Sequence, residues 1–364
     1  MDKVVPLARI RGDASCGEAS LSQCGSFAAG GTRMPKHLSA TSAKLVARVR
    51  ASLRATHEWR LLLTAGVIAV AACGAASPAS TSTTQSIQFP VTINEAGGAT
   101  VTIAKQPQRI VSLSPTATEM LYAIGSGTQV VAVDEQSNYP ANAPTTKLSG
   151  FTPNIEAIAA YTPDVVIASD DTGGLVHGLG ALNIPTLIQP AAKNLDDAYA
   201  QISQLGVATG HAAEARSVNA KMRSDVAAVV ASIPKRVKPL TVYHELDDTY
   251  YSATSNTFIG QAYALLGLKN IADGANATAP DYPQLSAEYI VASSPDLIVL
   301  ADTKCCHQDL HTVGARPGWN SIAAVKTGQV IGVDDDVASR WGPRVVDFLR
   351  LIAPHVLAIG ASSP

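Results

Sequence analysis

The 364-residue chain is 46% hydrophobic and 15% charged, which excludes an intrinsically disordered polyelectrolyte and supplies apolar material for a large core. Length predicts about two domains. The first 72 residues hold ten basic and four acidic side chains, so that from Cys73 onward 17 basic residues face 25 acidic ones, a net charge of minus 8. A mildly acidic body argues against nucleic acid as a partner.

Residues 1–45 carry no sustained periodicity and precede the only segment that reads as an export signal, which predicts an over-extended start. Residues 46–73 read as a lipoprotein signal peptide. Its apolar core runs from Leu61 to Ala72 behind Arg48, Arg50, Arg54 and Arg60. The run is too short for a spanning helix, which needs about 20 residues. The junction "VAACGAAS" resembles a bacterial lipobox, so Cys73 is the expected lipidation site and the mature protein is expected on the outer face of a bacterial cell membrane. Residues 74–87 are a flexible small-residue tether.

In the body, "QFPVTINEAGGATVTIAKQP" predicts a β-hairpin about its "EAGG" turn. "RIVSL" is a buried strand. "SPTATEMLYAIG" is a helix with Ser114 as N-cap, Pro115 at the first helical position and Gly125 as the stop. At about 100° per residue, Ala117 and Leu121 share a face, and Glu119 is expected to point away from it toward solvent. The strands "QVVAVD", "DVVIASD", "PTLIQP", "LTVYHE", "DLIVLAD" and "QVIGVD" alternate with helical segments, the pattern of βαβ units in parallel sheets. Between the two sets, Ala213 to Ile233 predicts an uninterrupted helix about 30 Å long.

The chain also repeats itself. "EAIAAYTPDVVI", Glu156 to Ile167, matches "EYIVASSPDLIV", Glu288 to Val299, at an offset of 132 with Glu, Ile, Ala, Pro and Asp identical. "TEMLYAIG" and "GQAYALLG" form a shorter pair that sets Glu119 against Gln261. The expected architecture is therefore α/β with two Rossmann-like lobes, at residues 88–208 and 236–364, joined by a single long helix within 209–235.

These blocks, together with "YPQLSAEYIVASSPDLIVL" and "RPGWNSIAAVKTGQVIGVD", resemble the iron-siderophore and cobalamin class of ABC-transporter substrate-binding proteins over roughly residues 88 to 358. The resemblance implies a ligand cleft between the two lobes of a monomeric, non-enzymatic carrier without a cofactor of its own, which delivers a corrinoid or ferric siderophore to an ABC permease and its ATPase. It further implies one surface acid per lobe that meets permease arginines, which assigns Glu119 to docking with Gln261 at the equivalent place. Ligand contacts are expected on loops after strand ends: Tyr139 and Phe151 in the first lobe, and Leu246, Tyr250, Tyr251, Tyr282, Arg340 and Trp341 in the second. Aromatic faces suit a large planar ligand, and Arg340 suits its carboxylate, amide or chelating oxygens. Asp170 and Asp171 read as turn or capping residues beside the cleft.

Two alternatives remain open at this point. His177, His244 and His307, with His311, Asp170 and Glu245, offer ligands for direct capture of a metal ion, and haem is an alternative ligand for the same architecture, since it suits the same bulky, aromatic cleft. The "CCHQDLH" segment, with Cys305, Cys306 and His307, offers thiols for a redox or metal enzyme, although it lacks a CxxC spacing. Whether Cys305 and Cys306 are bonded is not decided by sequence.

Overall fold

A computed structural model of the chain describes residues 87–275 and 281–361. The expected over-extended start, signal peptide, Cys73 and most of the tether lie outside the described residues.

The described chain opens with the expected hairpin, in which β1 (Val91–Asn94) pairs antiparallel with β2 (Thr100–Ile103). Strands β3 (Ile110–Leu113), β4 (Val130–Val133), β5 (Val165–Ala168) and β6 (Thr186–Ile188) follow and form a parallel sheet in the order β4-β3-β5-β6. A second set, β7 (Leu240–Glu245), β8 (Leu268–Asn270), β9 (Leu297–Leu300) and β10 (Val330–Gly332), forms another parallel sheet in the order β10-β9-β7-β8. In each sheet the first strand of its set pairs with the second and third, and the fourth pairs with the third. The two halves thus share one topology, as the sequence repeat predicts. In each half the repeated segment is a short helix, α2 (Ile155–Ala159) or α7 (Ala287–Ser293), that leads into β5 or β9. Strand β8 is an addition to the sequence reading, since its three residues carry one exposed lysine and no apolar run.

The sheets are buried on both faces, so strand side chains alternate between cores rather than between core and water. Ile110 packs into one apolar cluster while Val111 and Leu113 pack into another. In the second half Leu297 and Val299 join the cluster that holds Ile110, and Ile298 and Leu300 turn to a third around Trp319. The shared cluster runs from Met120 in the first half to Phe348 in the second, so one continuous core underlies both.

Helix α1 (Pro115–Ala123) begins as predicted: the Ser114 hydroxyl accepts from the Ala117 amide and Pro115 opens the first turn. Gly125 lies just beyond its end with φ of +85°, a conformation that glycine adopts without strain. Helices α3 (Leu175–Gly180) and α4 (Leu195–Thr209) complete the first half, and Gly210 ends α4. The connecting helix α5 spans Ala212–Ser232, one residue from the expected start and end, and its 21 residues reach about 31 Å. The second half adds α6 (Phe258–Leu265), α8 (Leu310–Gly314), α9 (Ala323–Lys326), α10 (Asp335–Ser339) and α11 (Val345–Ala361).

Helices α4 and α5 pack closely where Gly206 faces Ala215. A Cβ at Gly206 would overlap the Ala215 side chain and crowd the His211 carbonyl. Gly206→Ala is expected to cost about 1–3 kcal/mol by overpacking this crossing, read as a lower urea midpoint at unchanged slope; a midpoint within error of wild type would show that the helices separate freely.

Candidate functional site

The site is organised by Glu119, and here the structure corrects the sequence. Glu119 is only 3% exposed. Arg340 Nη1 donates to its Oε1 at 2.7 Å, Arg344 Nε donates to its Oε2 at 2.9 Å, and Arg344 Nη2 also pairs with Oε1. Every side chain from Thr116 to Leu121 is buried. Helix phase identifies the face of α1 that packs on its own sheet, but the opposite face is covered by the other half of the protein, which local periodicity cannot register. Glu119 is therefore not the solvent-facing side chain that helix phase predicts. Gln261, at the equivalent place in α6, is exposed; its Nε2 donates to the Ser255 carbonyl at 2.6 Å. It borders a groove of about 490 Å³ between α4, α5 and α6 that also holds Tyr199, Arg223 and Phe258.

Around Glu119 the halves are sewn together. Arg340 ends α10, is 7% exposed, and donates through Nη2 to the Gln136 carbonyl and to Asp336 Oδ1, both at 2.9 Å. Asp336 also accepts from Asn138 Nδ2 of the first half at 2.8 Å and from Lys304 Nζ at 2.9 Å. Burial alone would push the Asp336 carboxyl up, but Arg340, Asn138 and Lys304 outweigh it and hold the pKa below the usual value. Arg344 lies over the Tyr139 ring with 4.2 Å to the centroid, a cation–π contact. Its own pKa is raised, because the hydrogen bonds and charge of Glu119 exceed the opposing effect of burial. Trp341 Nε1 donates to Gln201 Oε1 of α4 at 2.8 Å. Beneath the clasp, burial pushes Asp134 up to about 6 against the hydrogen bond from Ser137 and the charge of Arg340. The chemistry of this region is ion pairing and recognition.

The residues expected at the ligand differ in exposure. Tyr139 and Phe151 are 45% and 39% exposed, unusually open for aromatic side chains. Tyr250, Tyr251, Tyr282 and Trp341 are half-buried, whereas Leu246 is buried in the shared core and Arg340 is committed to the clasp. Tyr250 has φ of +71° and lies under the Arg316 guanidinium, which also covers Trp319. Arg316 in turn holds the fully buried Glu245 by two hydrogen bonds of 2.6 Å. Asp302 lies beside this pair at the end of β9, and burial, with the charge of Glu245, pushes it up to about 8. Asp170 and Asp171 take the turn role expected of them, accepting from the Thr172 and Val176 amides.

The histidine alternative does not assemble. His244 is fully buried with its Nδ1 2.7 Å from the Tyr263 hydroxyl, and burial lowers its pKa to about 3. His177 is exposed on α3, His307 is exposed in a separate loop, and no group of three metal-ligating side chains occurs among the described residues.

Sequence reasoning missed Arg344, Asp336, Asn138 and Gln201. Arg344 stood in the same "SRWGPR" stretch that drew attention to Arg340. Asp334, Asp335 and Asp336 lie just before the two arginines and Asp336 pairs locally with Arg340, so nothing in the local pattern points to a partner as distant as Glu119. Nothing in the local pattern marks Asn138 or Gln201.

Two parallel α/β halves joined by one helix define the architecture of two-lobed solute receptors. Residues 110–337 match the family described as periplasmic binding protein. The chain is 30% identical over 311 residues to an uncharacterized ABC transporter substrate-binding lipoprotein of Bacillus subtilis, covering 82% of this chain and 96% of that one. It is 32% identical over 276 residues to a cobalamin-binding protein of Halobacterium salinarum, covering 73% of each. Among solved structures, the periplasmic heme-binding protein of Roseiflexus superposes with a TM-score of 0.62 at 23% identity, covering 69% of this chain and 98% of that one. The protein belongs to the periplasmic binding protein family.

Glu119→Ala leaves the buried Arg340 and the half-buried Arg344 without their carboxylate and is expected to cost about 3–5 kcal/mol of stability, measured by urea unfolding. A loss below about 1 kcal/mol would place the clasp among solvated surface pairs.

Proposed function

We propose that this protein is an extracytoplasmic receptor that captures a corrinoid between its halves and hands it to an ABC permease, held at the membrane by lipid on Cys73. The observation that carries this reading is the 32% identity to a cobalamin-binding protein over nearly three quarters of both chains. The geometry supports it. Tyr139 and Phe151 expose aromatic faces in the first half, and Tyr250, Tyr251, Tyr282 and Trp341 lie partly open in the second. Such faces suit a large, partly apolar ring system. The charged groups of the clasp sit beside them: Arg344 over Tyr139, and Arg340 next to Trp341. A ligand side chain that bears amides or carboxylates can exchange hydrogen bonds with these arginines. No bond in the ligand need be made or broken.

Docking to the permease is reassigned. The family resemblance asks for one surface acid on each lobe, and the internal repeat supplies Glu156 and Glu288. Both lie in the first turn of equivalent short helices, α2 and α7, and both are exposed. A carboxylate there is favoured by the helix N-terminus and remains free of the lobe–lobe contact that consumes Glu119. Exposed acids contribute steering and register more than affinity.

Titration of the purified protein with cobalamin, followed by tyrosine and tryptophan fluorescence, is expected to saturate near or below about 1 μM, equivalent to roughly 8 kcal/mol. Absence of saturation with cobalamin, with saturation by haem or a ferric siderophore, would transfer the site to that ligand and overturn the corrinoid reading. In cells, the double substitution Glu156→Arg and Glu288→Arg is expected to abolish uptake while the purified variant binds ligand as wild type does. Undiminished uptake would remove these acids from docking.

A further inference from the structure

The Cys305–Cys306 pair takes no part in the clasp or the aromatic walls, and its placement is specific. The loop leaves the end of β9 and is pinned on either side of the pair. Thr303 Oγ1 and the Lys304 amide donate to Asp335 Oδ1 at 3.0 and 3.2 Å, and the Cys305 amide donates to Asp335 Oδ2 at 3.3 Å. The Cys306 amide donates to the Asp302 carbonyl at 3.1 Å, and Gln308 Nε2 donates to the Cys306 carbonyl at 3.0 Å. Held this way, the two sulfurs lie on the same side of the loop with Sγ to Sγ at 2.7 Å, Cys305 exposed and Cys306 half-buried. The residue that follows, His307, has φ of +52° and lets the chain turn away.

From this geometry we infer that Cys305 and Cys306 form a reversible redox site, closing to an adjacent-residue disulfide by exchange with a low-molecular-weight disulfide. The Cys305 thiolate attacks one sulfur of the incoming disulfide, breaks its S–S bond and releases one thiolate. The Cys306 thiolate then attacks Cys305 Sγ and expels the second. Two protein thiols lose two electrons and two protons; the incoming disulfide gains both and leaves as two thiols. Cys305 is the entry point because it is the open member of the pair. Burial pushes the Cys306 thiol up, opposed by its hydrogen bond with Cys305, so the closing step accelerates as pH rises.

Reversibility follows from chain geometry. Neighbouring Cα atoms across a trans peptide are about 3.8 Å apart, below the roughly 4.4–6.8 Å of ordinary disulfides. A ring forced into that spacing is opened readily by thiols, which is the behaviour of switching rather than structural disulfides. The site is also connected to the clasp: Lys304, next to Cys305, is bonded through Nζ to Asp334 and Asp336, and Asp336 holds Arg340 and Asn138. The inference does not depend on which ligand the protein carries.

Full-length protein is equilibrated in buffers of increasing oxidised over reduced glutathione, quenched with iodoacetamide and digested with trypsin. Cleavage after Lys304 and Lys326, with Arg316 protected by Pro317, releases one peptide that holds Cys305, Cys306 and no other cysteine. The expected result is passage from the doubly alkylated peptide to an unalkylated one lighter by two hydrogens than the dithiol, and full return in excess reduced glutathione. Cys306→Ser is expected to stop at a glutathione adduct on Cys305. Double alkylation at every ratio, stable glutathione adducts on the wild-type pair, or a ring that excess thiol does not reopen would each overturn the inference.

Discussion

The arrangement of the molecule depends on one buried carboxylate. Glu119 is removed from water by the same two residues that neutralise it, Arg340 and Arg344, and both come from the opposite half. Two guanidiniums around one carboxylate would leave an uncompensated positive charge, and Asp336 supplies the balance by accepting from Arg340. Burying ions is costly, so such a group survives only when every member is bonded. What the group contributes is register. Bidentate arginine geometry tolerates little misplacement, and it fixes α1 of the first half against the start of α11 in the second. The aromatic contacts follow from that register, since Tyr139 lies under Arg344 and Trp341 reaches Gln201 only when α10 and α4 are so placed.

Most of the scaffold was legible because it is encoded locally. Ser114 followed by Pro115 marks the start of α1, the absence of Gly and Pro marks α5, and runs such as "DVVIAS" and "DLIVLAD" mark strands covered on both faces. The 132-residue repeat indicated two similar halves, and the sheets show the same strand connectivity in each. The three-residue strand β8 was not legible, because Leu268, Lys269 and Asn270 carry neither alternation nor an apolar run.

The site was legible only in part, and the reason is instructive. The outward reading of Glu119 used the periodicity of one helix, which reports the nearest packing surface and is blind to a second one some 220 residues away in the chain. Arg340 was marked by its loop position and the family resemblance, but its assignment to a ligand rather than to Glu119 could not be tested without three dimensions. The same holds for Leu246 and His244: loop position and residue type suggested contact with a ligand or a metal, and the fold places both in apolar surroundings. Conversely, the repeat had already set Glu156 and Glu288 at matching positions, and only the exposure of α2 and α7 gives that match a meaning.

Helix α5 bears on how such a molecule would exchange a cargo. Neighbouring halves connected by paired or triple crossover strands can hinge by redistributing a few backbone torsions, whereas a continuous 21-residue helix has none to spare. Its interior amides are all committed to the i to i−4 ladder, and α4 and α11 brace it along its length. It therefore acts as a stiff flexure. Any separation of the halves would bend this helix, which favours a movement of small amplitude. On the function proposed above, the lifetime of a captured molecule would be governed by how quickly the clasp side chains let go rather than by a slow domain rotation, and an acceptor that competes for those arginines would shorten it directly.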